Sequence, residues 1–262
     1  MIELTVAMPM YLAKRIVWLP FESLIRQKDI DFEWEIVAAE EQNTETFGEI
    51  EIEKYRENLE KIGCKRIIYI PIQKHIPLPN KYKLIADNTS ESSKIFIIQS
   101  ADCYSQPKRL VQTYDIIAKQ GYDWTFSNLG LFYNIKTEHT VLYDQTGLDA
   151  YRGLNMAAKT ELIRQIVPQD LKKGIDKWLV SELARIKGKK SSLLIKTNDS
   201  EDYLYGLDTQ GLNTISIKRY KKMLNRNSRF KKTRYRIQDI LAPEVVERLL
   251  DCKQYCRKGF TI

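Results

Sequence analysis

Long apolar runs are missing: no stretch approaches the roughly 18 residues that a membrane-spanning helix needs. The opening Met1-Ile2-Glu3-Leu4-Thr5 also lacks the basic-then-apolar layout of a secretory leader, so a soluble, cytoplasmic protein is the expectation. Cysteine is sparse. Four residues (Cys64, Cys103, Cys252, Cys256) in 262 are too few for a disulfide scaffold, and reduced thiols are expected. With 11 Gly and 8 Pro, collagenous and low-complexity readings fall away. Also absent are the phosphate-binding GxxxxGK, the dinucleotide GxGxxG and the nucleophile-elbow GxSxG, which removes the usual support for kinase, dehydrogenase and hydrolase chemistry of those kinds.

What is present is the balance of a globule able to bury a core: 43% hydrophobic and 29% charged residues. The length fits one large domain, or one domain with an appendage. Net charge is +8, but ten basic residues and no acidic one fall between Lys218 and Arg236, while the other 243 residues carry 32 basic and 34 acidic side chains. The basicity is therefore local, and a phosphate-bearing partner is its natural correlate. We place a boundary at this shift in composition, with a main domain over 1–212 and a basic, mainly helical extension over 213–262.

Periodicity predicts an α/β fold. Leu4 to Pro9 reads as a buried strand stopped by proline, Ala13 to Gln27 as a helix, and Trp34 to Ala39 as a second strand; strand, helix, strand within this span predicts a parallel sheet. Glu51 to Ile62 is an amphipathic helix capped by Gly63, followed by a strand over 66–70. One short helix is expected between Leu78 and Ser93. Lys94 to Gln99 is the most apolar strand of the chain, and it runs into Ser100-Ala101-Asp102-Cys103-Tyr104-Ser105. A helix over 107–119, antiparallel strands within 122–144, helices over 154–166 and 176–186, and a late strand over 193–196 complete the pattern.

Open α/β sheets bind ligands beyond the carboxyl ends of their strands. Acidic groups stand at two such ends, Glu40-Glu41 and Asp102. At these residues the chain resembles the GT-A type glycosyltransferases, the large inverting family of bacterial and phage enzymes with a Rossmann-like nucleotide-diphospho-sugar domain. Met8-Pro9-Met10-Tyr11 with Glu22-Ser23-Leu24-Ile25-Arg26-Gln27 looks like the family's opening strand and helix, and Ile36 to Glu40 like the strand that brings an acid to the nucleoside. Lys94 to Leu110 is similar to the strand carrying the Asp-x-Asp metal motif, and Gly153 to Arg185 to the acceptor-side helix with its acidic base; the resemblance covers about residues 3 to 200.

The resemblance implies a single GT-A domain with a mostly parallel sheet and small antiparallel acceptor-side strands. It implies a nucleotide-diphospho-sugar donor held by Pro9, Tyr11, Glu40 or Glu41, Lys83, Asp87 and Asp102, and a divalent cation, Mn²⁺ or Mg²⁺, at Asp102. A carboxylate must take the proton of an acceptor hydroxyl as it attacks, and Asp176 is the candidate. Trp124, Arg152 and Trp178 are candidates for the acceptor side, with core packing as the other reading of both tryptophans and a solvated loop as that of Arg152. Asp87-Asn88-Thr89 reads equally as a helix cap. The motif's second Asp is replaced by Tyr104, which leaves His139 as a candidate to complete the metal site and His75 as a lesser one.

Tyr220, Phe230 and Tyr235 interleave the basic stretch, a pattern that holds nucleic acid with little sequence preference. An acceptor that is DNA or other nucleic acid follows as one expectation and a glycan as another. Binding at a membrane surface is less favoured because Met223 and Leu224 are the only aliphatic residues between Ile217 and Ile237. The alternative to an enzyme is a nucleic-acid-binding module carried on a degenerate, inactive transferase-like domain.

Overall fold

The computed structural model describes residues 1–127, 129–135, 138–144, 154–171, 174–195, 207–210, 230–232 and 236–257. The chain opens with β1 (Ile2–Met10), α1 (Trp18–Leu24), β2 (Glu33–Glu41), α2 (Glu49–Glu53), α3 (Arg56–Glu60), β3 (Cys64–Ile72) and α4 (Leu78–Asp87). It continues through β4 (Ile95–Ile98), β5 (Cys103–Tyr104), α5 (Arg109–Tyr114), β6 (Trp124–Ser127), β7 (Leu129–Asn134), β8 (His139–Asp144) and β9 (Leu154–Lys159). The remaining elements are α6 (Thr160–Gln165), α7 (Ile175–Lys187), β10 (Ser192–Ile195), β11 (Leu207–Gln210), β12 (Phe230–Lys232) and α8 (Pro243–Arg257).

A seven-stranded sheet in the order β10-β6-β9-β4-β1-β2-β3 forms the centre. β3, β2, β1 and β4 are parallel, as the strand-helix-strand pattern predicts, and β9 runs antiparallel between β4 and β6. A five-stranded sheet, β12-β8-β7-β11-β5, is mixed. The pleat sends alternate side chains to opposite faces. Leu4, Val6, Met8 and Met10 of β1 join one core with α1, α3 and α8, while Ala7 joins the other with α4, α6 and α7. Both faces of the central strands are thus covered, which is why they read as continuous apolar runs.

Three local expectations differ from the structure. Leu154 to Lys159 is a strand rather than the start of a helix: Met156, Ala157 and Ala158 favour helix intrinsically, but pairing with β4 and β6 buries them on both faces and overrides the propensity. The helix over 107–119 changes from α to a π turn at Asp115. In the basic extension, Phe230–Lys232 is a strand that pairs with β8, while α8 is helical as expected. Gly63 does close the α3 segment. Its φ of 91° is the left-handed conformation, and a Cβ there would lie 3.1 Å from the Phe32 carbonyl oxygen.

Candidate functional site

The carboxyl ends of β1 and β4 open into a cleft of about 720 Å³. Pro9 and Tyr11 line it from the end of β1, His75 to Leu78 from the approach to α4, and Ser100, Ala101 and Asp102 from the loop after β4. Lys81 and Tyr82 of α4 also line it, as do Asp170, Leu171 and Ile175. Leu12, next to Tyr11, adopts a left-handed backbone with φ 49°, an uncommon conformation for a residue with a branched side chain.

Consecutive acids in β2 point to opposite faces. Glu41 turns to the cleft side, where its Oε1 is 2.7 Å from Lys81 Nζ and its Oε2 is 2.9 Å from His75 Nδ1. Burial alone would raise the Glu41 carboxyl; the hydrogen bonds from Lys81 and His75 outweigh it and hold the group below its ordinary value. Burial lowers Lys81, with Glu41 opposing. Lys81 Nζ also donates to the Met10 carbonyl at 3.1 Å and stands 5.2 Å over the Tyr11 ring. Glu40 faces the other way. It accepts from the backbone N–H groups of Phe47 (2.7 Å) and Gly48 (2.9 Å) and from the Tyr69 hydroxyl (2.9 Å), tying down the β2–α2 loop.

Asp102 is half-buried, and burial raises its carboxyl above the usual range, against opposing hydrogen bonds from its own backbone and from the Cys103 thiol. Asp176 lies in the first turn of α7, exposed, one residue beyond Ile175 of the cleft wall. Burial, and after it the Asp176 charge, push the Tyr82 phenol up, so the carboxylate acts on a ring that lines the cleft. Pro9, Tyr11 and Asp102 therefore share one lining, Glu41 backs it through Lys81 and His75, and Asp176 follows the lining residue Ile175 in the chain without lining the cleft itself.

Other candidates stand elsewhere. Lys83 pairs with Asp87 one helical turn away, at 2.5 Å, and its side chain faces the seam between α4 and α7. Trp178 lines the same seam, its indole N–H buried with no hydrogen-bond partner. Trp124 is completely buried: it stacks on Phe126 and donates to Ser191 Oγ at 3.2 Å, which makes it a core residue rather than an acceptor wall. His139 begins β8, three ladder steps from the strand that follows Asp102, about 14 Å at ordinary strand spacing, so the strand order does not bring the two together. Among the described residues, no three His, Cys, Asp or Glu side chains gather where they could hold a metal ion. Arg152 lies outside the described residues, as does most of the basic stretch; Lys231, Lys232 and Arg236 are within them.

Sequence reasoning missed Lys81, although a signal was there. It shares the apolar face of α4 with Leu78, Tyr82 and Ile85, and a lysine on such a face needs a buried partner.

No protein-family model and no curated protein matches the sequence. Solved structures do match. S. aureus TarS 1–349 in complex with UDP-GlcNAc is 15% identical with a TM-score of 0.58, over 80% of this chain and 59% of that one. The same fragment in complex with UDP is 14% identical with a TM-score of 0.57, over 80% and 61%. The crystal structure of S. aureus TarS is 12% identical with a TM-score of 0.58, over 99% of this chain and 44% of that one. The chain thus spans about three fifths of the fragment. The shared architecture is the Rossmann-like GT-A fold.

Proposed function

We propose that this chain transfers a sugar from a nucleoside diphosphate sugar to an acceptor hydroxyl, with inversion at the anomeric carbon. The observation that carries this reading is the cleft at the carboxyl ends of β1 and β4, in a GT-A fold, lined by Lys81 and Asp102 and backed by Glu41 through Lys81. The TarS structures with UDP-GlcNAc and UDP support the donor class.

Tyr11 offers an aromatic face at the cleft edge, and the Glu41–Lys81–His75 cluster offers a carboxylate and hydrogen-bond donors of fixed position to the polar edge of a nucleoside. Asp102 faces the diphosphate. One carboxylate with phosphate oxygens and water suits Mg²⁺ or Mn²⁺, and such an ion would neutralise charge developing on the departing diphosphate. Asp176, exposed one residue beyond Ile175 of the cleft wall, accepts the acceptor's proton as the hydroxyl attacks. The basic stretch that enters β12 supports a nucleic acid as acceptor, phosphate contacts positioning the strand at the protein.

Calorimetric titration with a panel of nucleoside diphosphate sugars, with and without Mn²⁺, tests the donor site. Saturable binding is expected, and a donor at 100 times its dissociation constant adds about 2.7 kcal/mol of apparent stability. Asp102→Ala and Asp176→Ala are each expected to abolish transfer in a folded protein. An active Asp176→Ala variant removes the proposed base. The absence of the second metal carboxylate, with Tyr104 in its place, favours a second reading, a nucleic-acid-binding module on an inactive domain, and a protein that binds DNA yet gives no heat with any donor supports it.

A further inference from the structure

Behind the loop that carries Asp102 lies a buried cation with no carboxylate beside it. Arg109, the first residue of α5, is only 3% exposed. Its guanidinium donates to Gln99 Oε1 at 2.6 Å, to Ser105 Oγ at 2.8 Å and to the Ile98 carbonyl at 2.5 Å. All three acceptors are neutral and all belong to the 98–105 segment. Among the described residues Arg109 makes no ion pair, and its Nε has no hydrogen-bond partner.

Removing a guanidinium from water without an opposite charge is costly, and burial pushes its pKa down to about 10. An aliphatic side chain would fill the space without that penalty. What an aliphatic chain cannot supply is the planar fork that ties separate points of one loop together. The tie is extended by Gln99, whose Nε2 donates to the carbonyls of Ser100 (3.2 Å) and Cys103 (2.8 Å), on either side of Asp102.

We propose that Arg109 is a positioning residue for the transfer reaction: through Gln99 and Ser105 it fixes the turn that presents Asp102 to the cleft. Its catalytic consequence rests on the function proposed above; its effect on the loop does not. A lysine keeps the charge but cannot reach three acceptors with a rigid fork, so the shape rather than the charge is what matters.

The Cys103 thiol, half-buried beside Asp102, reports the order of this loop. Wild type, Arg109→Lys and Ser105→Ala are compared, well below their melting midpoints, by iodoacetamide labelling resolved cysteine by cysteine and by transfer kinetics. Arg109→Lys is expected to label Cys103 about tenfold faster while buried Cys64 and Cys252 keep their wild-type rates, because the opening is local. Its kcat is expected to fall about 10- to 100-fold, with donor KM moving less than about threefold, as misplacement of a reacting group predicts. Ser105→Ala removes one tie and is expected to accelerate Cys103 labelling about threefold. It carries the test if Arg109→Lys does not fold. Wild-type labelling of Cys103 in the folded variants overturns the proposal, as does a parallel acceleration at Cys64 and Cys252, which is the mark of global destabilisation. A wild-type protein with no transfer activity sinks the functional reading alone, since the labelling comparison still decides the loop.

Discussion

Glu41 and Lys81 each keep only about 5% of their side-chain surface in water, so each depends on the other. Lys81→Met leaves a buried carboxylate without its cation and is expected to cost about 3–5 kcal/mol in urea unfolding at pH 7. The pH dependence has a definite sign. In the wild type the Glu41 carboxyl is held below its ordinary value near 4.5, so its contribution is present above that pH and is lost as pH falls through the folded value. In Lys81→Met only His75 and the Ile76 N–H remain to oppose burial, so the carboxyl rises, and acidification relieves the penalty. The gap between variant and wild type should therefore narrow as pH falls from 7 to 4, and a constant gap would refute the coupling. Glu35 is a control at the other end of the sheet. Wholly buried, it accepts from Thr5 Oγ1 (2.6 Å), Ser90 N (2.7 Å) and Arg66 Nε (2.6 Å). Glu35→Ala is expected to cost about 3 kcal/mol or more in unfolding while leaving donor titrations unchanged.

At the scale of elements, legibility followed the physics of burial. β1, α1 and β2 were readable because strands covered on both faces must be apolar throughout, and the places of Glu41 and Asp102 at strand ends were readable because each follows such an apolar run. β9 was not readable: Leu154 to Ala158 looks like a helix locally, and only its partners β4 and β6, distant in sequence, make it a strand. Glu40 and Glu41 could not be separated without the pleat, which decides which of two neighbours faces the cleft. Lys81 was obscured by its half-buried neighbour Lys83, and only the spacing from Leu78, Tyr82 and Ile85 marks Lys81 as the one the helix turns inward. Gly63 offers an element-level check. Gly63→Ala meets both a positive φ and the Phe32 carbonyl, and a loss of about 1–2 kcal/mol is expected in thermal unfolding, with the β3 register intact by amide exchange.

At the scale of the molecule, the basic stretch is joined to the second sheet through β12, and Ile237, Leu241, Val245 and Leu249 beyond it enter the same core as β1 and α1. We expect one cooperative unfolding transition in calorimetry. Leu249→Ala, at a fully buried position, should lower the midpoint of the whole transition with a loss of about 2–5 kcal/mol. A separate low-temperature transition in that variant would mark the C-terminal part as an independent unit. If six or more phosphates are engaged, nucleic-acid affinity should fall about a thousandfold or more between 50 and 200 mM salt, and binding that ignores salt would exclude this acceptor.

The closure of α8 over α1 has a consequence for biosynthesis. Glu244 reaches Arg26, and Arg248 stacks on Trp18, pairs of groups separated by more than two hundred positions. While the ribosome is still translating the middle of the message, Phe47 and Tyr55 can already stack on Phe21, but the part of α1 that α8 covers stays open. The nascent polypeptide must keep that surface from aggregating, by its own transient collapse or with a chaperone, until translation delivers the helix that seals it.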